Sequence, residues 1–274
     1  MRVVEQLVLC AVALPGGCRT VTEEVLPDAP VGPGLETDRA QLLSAARERF
    51  AELPRTVGSV SEAFEMSSSV ARLEHPDRYD GLVFASVCGL WLAQFTEEEE
   101  LRSSSAERVI VLANTAVQLD ADRVEGFYYR AIATGLFAQE NQSYGLDAMD
   151  KIREDARTAR KLDPSFDEGG PDRVLGLLYL RSPGAPTGVG SIRRAEFHLR
   201  KAYEEFPERA ENPLYLAECE IERGAEQGTI DALLDEFDRR VATAQLESGA
   251  APKICACHLE ALKAEAAAFR LLAR

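Results

Sequence analysis

Four stretches of this chain repeat one arrangement, in which a small residue near the end of a helical segment is followed five positions later by a helix-ending position. The intervals between the small residues are 45, 43 and 43 residues. The four pairs are Ala71/Pro76, Ala116/Ala121, Ala159/Pro164 and Ala202/Pro207. A period of this length predicts a stack of similar helical units, each of which buries its apolar face against the next.

A further helical segment with a small residue follows each of the four junctions. These small residues are Ser86, Ala131, Gly176 and Ala217. Small residues in two successive helices resemble the tetratricopeptide repeat (TPR), a helical hairpin of about 34 residues. Because the period here is longer, we expect insertions inside the hairpins, and they are predicted at Thr96–Ser105, Ala138–Gly145 and Ser182–Ser191.

The last helical segment has the pattern of a cap. Residues 252–272 carry apolar side chains at helical spacing, and they can cover the open apolar edge of the final hairpin. We therefore predict an all-α, TPR-like α-solenoid of about four helical hairpins plus a C-terminal capping helix, over residues 38–274. A globular helical bundle that only imitates the repeat is the alternative.

Residues 1–18 resemble a bacterial lipoprotein signal peptide. Arg2 precedes an apolar run over Leu7–Leu14, and small residues lead to Cys18, the residue expected to be acylated after cleavage. Residues 19–37 contain three prolines and no apolar periodicity, which predicts an extended linker between the lipid and the folded domain. The alternative is that the segment is the amphipathic start of a soluble protein.

The segment from Gly169 to Gly224 makes the resemblance to TPR proteins more specific. Its successive parts are Gly169-Gly170-Pro171 at a helix start, a Pro/Gly loop, a helix with Ala195 and Ala202, and Leu214–Glu218. These parts are similar to the TatT family, periplasmic TPR lipoproteins found beside TRAP solute transporters, although Gly190-Ser191-Ile192 replaces the Gly-Gly-Asp expected there. The resemblance implies an α-solenoid that docks a solute-binding protein and assembles as a trimer.

The charge of the chain argues against nucleic acid as a partner. Its formal net charge is −15, whereas phosphate backbones bind clusters of Lys and Arg. The sequence also contains no nucleophile-elbow, zinc-protease or P-loop motif. We therefore expect a binding protein rather than an enzyme, and we predict no cofactor.

Cys255-Ala256-Cys257-His258 is the one ligand-like cluster in the sequence. On a helix, Cys255 and Cys257 point in directions about 200° apart, which is unsuitable for holding a single metal ion. We therefore predict no metal site. A disulfide in an oxidising compartment and burial as small apolar side chains are both compatible with the sequence.

Two groups of residues are predicted to contact a partner. The first belongs to the Gly/Pro loop, which is expected to keep one backbone shape and to permit close approach. Its members are Arg181, Pro183, Gly184, Pro186, Gly188 and Gly190. The second group is aromatic and consists of Tyr128, Tyr129 and Tyr179.

These features predict a lipid-anchored protein–protein interaction scaffold in the bacterial cell envelope, facing the periplasm. A periplasmic carrier of small apolar ligands is the second hypothesis, and it requires a channel lined by aromatic side chains. A cytoplasmic TPR adaptor is the third, and it applies if residues 1–18 are not removed. The positions of Tyr128, Tyr129 and Tyr179 distinguish the first two hypotheses.

Overall fold

The computed structural model describes residues 36–72, 76–141, 144–246 and 256–273. Within these ranges the regular elements are eleven α-helices. In chain order they are α1 (Glu36–Ala51), α2 (Val57–Ala71), α3 (Arg78–Phe95), α4 (Glu99–Leu119), α5 (Val124–Glu140), α6 (Gly145–Leu162), α7 (Gly170–Arg181), α8 (Ile192–Glu205), α9 (Glu211–Glu222), α10 (Gln227–Leu246) and α11 (Ala256–Leu272). The predicted signal peptide, Cys18 and nearly all of the predicted linker lie outside the described residues.

The chain divides into two compact units, with the boundary between Tyr144 and Gly145. The N-terminal unit contains α1 to α5, and the C-terminal unit contains α6 to α11. Within each unit, consecutive helices pack against one another, and odd-numbered helices also contact the next odd-numbered helix. Such contacts are those of helical hairpins stacked in two layers. The prediction of an all-α fold is confirmed.

The small residues of the repeat lie where helices approach most closely. All eight are buried. Two glycines at helix contacts show how little room is left: a Cβ on Gly126 would lie 3.0 Å from the backbone nitrogen of Val117, and one on Gly176, itself a small residue of the repeat, would lie 2.5 Å from Cγ of Leu199. Because helices at this separation leave no room for a larger side chain, the repeat depends on its small residues.

The length of the repeat comes mainly from long helices rather than from insertions. Helix α4 has 21 residues and begins at Glu99, inside the predicted insertion Thr96–Ser105. The prediction was wrong there because Glu and Leu are good helix formers, and acidic residues in a first turn interact favourably with the helix dipole. The predicted insertion at Ala138–Gly145 was also wrong, since α5 ends at Glu140 and α6 begins at Gly145. Ser182–Ser191 is a loop, as predicted.

An apolar cluster and an ion pair hold α3, α4 and α5 together in the N-terminal unit. Tyr129 packs against a buried cluster from α3, α4 and α5 that includes Val109 and Phe137. Arg102, in the first turn of α4, donates to both carboxylate oxygens of Glu140 at 2.6 and 3.2 Å. A half-buried, two-point ion pair of this kind fixes the start of α4 against the end of α5.

Helix α11 covers α9 and α10, as expected of a cap. Its buried residues are Leu259, Leu262, Glu265, Ala266 and Phe269. Arg270 adds hydrogen bonds to the carbonyl oxygen of Leu234 at 3.2 Å and to Asp238 at 2.6 Å, both on α10. No helix in the described part of the chain combines the length and the hydropathy that a membrane span requires.

The contact between α7 and α8 gives a stability prediction. We expect Gly176→Val to lower the free energy of unfolding by about 1–3 kcal/mol, because the new side chain overlaps Leu199. Gly228→Ala is the control, since a Cβ there meets no atom within 4 Å, and its effect should be neutral or stabilising by less than about 1 kcal/mol. Urea denaturation followed by circular dichroism measures both. Equal stability of the two variants would contradict close packing at Gly176.

Candidate functional site

The turn before α7 has an unusual backbone. Asp167, Glu168 and Gly169 are consecutive residues with positive φ angles of 50°, 53° and 83°. For Asp167 and Glu168 this left-handed conformation is strained, at about 1–3 kcal/mol each. Gly169 is needed because a Cβ there would lie 2.8 Å from the ring of Phe206, in addition to the backbone constraint.

Two buried side chains hold this turn in place. Arg173 donates through Nη2 to the carbonyl oxygen of Asp167 at 3.0 Å and through Nη1 to that of Glu168 at 3.0 Å. The same guanidinium donates to Oδ1 of Asn212 at 3.0 Å. The side-chain amide of Asn212 donates to the carbonyl oxygens of Ala202 and Phe206 at 3.0 and 2.8 Å. Asn212, in the first turn of α9, thus donates to carbonyl groups at the end of α8 and holds the two helices together.

A second polar cluster joins α6, α7 and α8. The carboxylate of Asp172, which is 1% exposed, lies 2.6 Å from Nδ1 of His198 and accepts from Nε of Arg160 at 2.8 Å. Burial alone would raise the pKa of Asp172, but the hydrogen bonds with His198 and Arg160 outweigh burial and hold that pKa below its usual value. No Ser or Cys nucleophile belongs to this cluster as the described residues show it, and its evident role is to join the helices.

The three tyrosines that the sequence singled out all lie in helix packing. Tyr179 is 1% exposed, its hydroxyl accepts from Arg157 at 3.1 Å, and its ring stacks on His198 with centroids 5.7 Å apart. Tyr128 is buried in the N-terminal unit, and Tyr129 packs against the apolar cluster described above. An aromatic lining for a ligand would therefore need other residues.

The loop over Ser182–Ser191 is held by its own backbone. The amide of Gly190 donates to the carbonyl of Pro183 at 2.8 Å, the amide of Gly188 donates to the carbonyl of Gly184 at 3.2 Å, and the amide of Ser191 returns to the carbonyl of Tyr179 at 2.8 Å. Residues 184–187 are exposed, including Pro186, whereas Pro183, Gly188 and Gly190 are half-buried. The loop therefore presents a fixed exposed tip.

The three glycines of the loop differ in how much room a side chain would have. A Cβ on Gly190 would lie 2.7 Å from the carbonyl oxygen of Pro183 and still closer to that of Ser182, and a Cβ on Gly188 would also overlap Pro183. A Cβ on Gly184 would meet nothing within 4 Å. The loop shape thus depends on Gly188 and Gly190 but tolerates a side chain at Gly184.

Arg181, predicted as a partner contact, is engaged inside the C-terminal unit. It donates to both carboxylate oxygens of Glu218 on α9 at 2.7 and 2.6 Å, and to Glu265 on α11 at 3.0 Å. Burial lowers the pKa of Arg181, but the two carboxylates outweigh burial and raise it overall. Burial is also the main cause that raises the pKa of Glu265, which is 5% exposed, to about 7.

The outer face of α8 carries an exposed aromatic ring that the sequence analysis missed. Phe197 is 59% exposed. The signal was present in the sequence, because Ala195, Leu199 and Ala202 define the buried face of α8 and Phe197 falls outside it. Arg193 and Arg194 on the same helix are exposed as well.

The Cys-rich segment near the C-terminus is described only in part. Cys255 lies outside the described residues, as does the side chain of Cys257. Nε2 of His258 lies 3.8 Å from Glu211, and burial is the main cause that lowers the pKa of His258. Among the side chains that the structure describes, no three His, Cys, Asp or Glu residues are grouped as metal ligands.

Comparison with known proteins identifies the fold. A thermophilic TPR protein of Thermus thermophilus, known from its crystal structure, has a similar fold, with a TM-score of 0.54. The sequences are 17% identical, and the match covers 85% of this chain and 99% of that protein. Neither a protein-family model nor a curated protein matches this chain. The fold is TPR-like, which confirms the prediction from the repeat.

The buried Glu265 gives a pH-dependent prediction. Because its pKa is higher in the folded chain than in the unfolded chain, its stabilising contribution is complete in acid and is lost as the pH rises through about 7. Glu265→Gln should therefore match the wild type at pH 4, below the ordinary carboxyl pKa of 4.5, and exceed its free energy of unfolding by about 1–3 kcal/mol at pH 9. Urea denaturation at the two pH values measures this, with the exposed Glu260→Gln as control. A stability difference that is the same at both pH values would contradict it.

Proposed function

We propose that this chain is a protein-binding scaffold of the bacterial cell envelope, anchored by lipid on Cys18 and facing the periplasm. The TPR-like fold supports a binding role, since stacked helical hairpins offer extended surfaces to partners. The N-terminal sequence up to Cys18 and the Pro/Gly linker support the anchor. The resemblance to the TatT family supports a periplasmic solute-binding protein of a TRAP-type transporter as partner, and a trimer as the assembly.

The observation that carries the proposal is the tip of the Gly/Pro loop. Residues 184–187 are exposed on a backbone that internal hydrogen bonds fix from below. A surface of fixed shape loses little conformational entropy when a partner binds, and this favours recognition. Arg181, by contrast, positions α9 and α11 through its ion pairs and supports the loop from within.

The alternative of a small-ligand carrier has less support. It requires aromatic side chains that face a channel, and Tyr179 is instead held by Arg157 and His198. Tyr128 and Tyr129 contribute to the core of the N-terminal unit. We therefore favour a protein partner.

The anchor is tested by intact-mass analysis of the membrane fraction. We expect the wild type to begin at Cys18 and to carry acyl chains, and Cys18→Ser to lose both the acyl mass and the membrane association. A control such as Cys88→Ser alters a buried cysteine and should leave the acyl mass unchanged. A soluble wild-type product that retains Met1 would contradict the anchor and favour the cytoplasmic adaptor.

The loop is tested by co-purification of partners with the full chain from the envelope fraction. Gly190→Ala should displace the loop and reduce specific co-purification about tenfold, because its Cβ overlaps the backbone of Pro183. Gly228→Ala, on α10, is the control and should behave as the wild type, because a Cβ there meets no atom within 4 Å. Equal co-purification with both variants would contradict the loop as contact surface. If the wild type retains no partner, the scaffold proposal itself is wrong.

A further inference from the structure

We propose that the outer face of α8 binds an acidic protein segment that carries an exposed apolar or aromatic side chain. This inference rests on the proposed scaffold function and specifies the chemistry of the partner. The site, named here the α8 patch, consists of Arg193, Arg194 and Phe197.

The spacing of the three residues places them together. Arg193 is four residues and Arg194 three residues before Phe197, so both neighbour Phe197 on the helix surface. All three side chains are exposed. The ring of Phe197 also contacts His198 edge-on, with centroids 5.1 Å apart and planes at 80°. Asp172 binds the ring of His198 and Tyr179 stacks on it, so the residue against which Phe197 packs is held in place.

The two arginines of the α8 patch carry charge that no described carboxylate neutralises. Among the described residues, neither Arg193 nor Arg194 makes an ion pair, and Arg194 lies over the Tyr179 ring at 5.5 Å. The next basic residues of α8 differ in this respect: Arg200 pairs with Glu196 and Glu220, and Lys201 pairs with Glu205. Of the four Arg and Lys residues of α8, Arg193 and Arg194 are therefore the two whose charge remains available to a partner.

Folding alone does not account for these residues. The first turn of α8 contains no acidic residue, although acidic residues are favoured there, and two cations near a helix N-terminus cost about 0.3–1 kcal/mol each. An aromatic ring that is 59% exposed adds little to the core. Cations at a helix N-terminus and an exposed aromatic ring are both unfavourable for folding, and their occurrence together at one exposed place favours a functional reason.

Charge and size select the class of partner. Each guanidinium can bind a carboxylate through two hydrogen bonds, and Phe197 can cover an apolar side chain between them. Two free cations contribute only about 2 kcal/mol to binding at an anionic membrane, which is too little for stable attachment. The net charge of −15 disfavours the many phosphate contacts of nucleic acid. A short acidic segment of a protein fits the patch best.

The test measures binding of a defined probe to the full chain by fluorescence anisotropy. The probe is a fluorescein-labelled peptide of Asp and Glu residues around a central Phe, and the comparison peptides replace Phe by Ser or the acidic residues by Asn and Gln. We expect the wild type to prefer the acidic Phe peptide by about tenfold over either comparison peptide. Added salt should weaken its binding.

Variants assign the binding to the α8 patch. Arg193→Glu and Phe197→Ala should each weaken binding of the acidic Phe peptide about tenfold. Arg239→Glu, an exposed charge reversal on α10 of the same unit, should leave binding unchanged. Thermal melting of each variant, followed by circular dichroism, shows whether the fold is retained. If Arg193→Glu proves unstable, Arg193→Gln, which removes the charge, should still weaken binding, and Arg193→Lys, which keeps the charge but loses the two-point hydrogen bond, should weaken it less.

The other outcomes overturn the inference. Equal binding of the three peptides, or an equal loss in Arg239→Glu, would show that the patch does not recognise an acidic segment. Binding to phosphatidylglycerol vesicles without binding of the peptide would assign the patch to a membrane surface instead. The two proposals fail separately, because co-purification detects a natural partner whereas anisotropy detects the peptide. A partner retained by the wild type together with failure of the peptide would reject this inference and keep the scaffold.

Discussion

The C-terminal unit depends on a buried hydrogen-bonded pair, Arg173 and Asn212. Arg173 donates to the carbonyl oxygens of Asp167 and Glu168 in the turn before α7. Asn212 adds a second hydrogen bond to the carbonyls of Ala202 and Phe206 at the end of α8, which also accept from backbone amides. A buried carbonyl that loses its donor costs about 1–3 kcal/mol, and the two carbonyls of the turn share the guanidinium of Arg173. This sharing explains how two residues with left-handed backbone, Asp167 and Glu168, are retained in the turn.

The same arrangement positions the surface that we propose as functional. Arg173 and Asn212 fix α7 and α8 at one end, Asp172 in the first turn of α7 bonds to His198 of α8, and the Gly/Pro loop connects the two helices at the other end. Phe197 therefore stands on a helix that has little freedom to move. A patch of only three side chains can be selective when its support is rigid, because binding then orders few additional groups.

Much of the fold could be predicted from the sequence, because helix ends and small residues leave local signals. Pro164 and Pro207 mark the ends of α6 and α8, and Ala159 and Ala202 are buried as the repeat required. The start of α4 was missed because a Glu-rich run is compatible with both a loop and a first helical turn.

The residues of the candidate site were less predictable than the fold. Arg181 looked available, yet its partners Glu218 and Glu265 lie 37 and 84 positions away along the chain, and no local pattern reveals such pairs. Phe197 could have been found, since it lies off the buried face of α8.

The Gly/Pro loop separates the residues that set its shape from those that face outward. Gly188 and Gly190 lie against backbone and exclude any side chain, whereas Ala185, Pro186 and Thr187 point to solvent. During evolutionary divergence, therefore, the exposed residues at the tip of the loop can be substituted while Gly188 and Gly190 keep the loop shape. One scaffold can thus acquire new partners by substitution at a few outward positions, with no change in the helices that carry them.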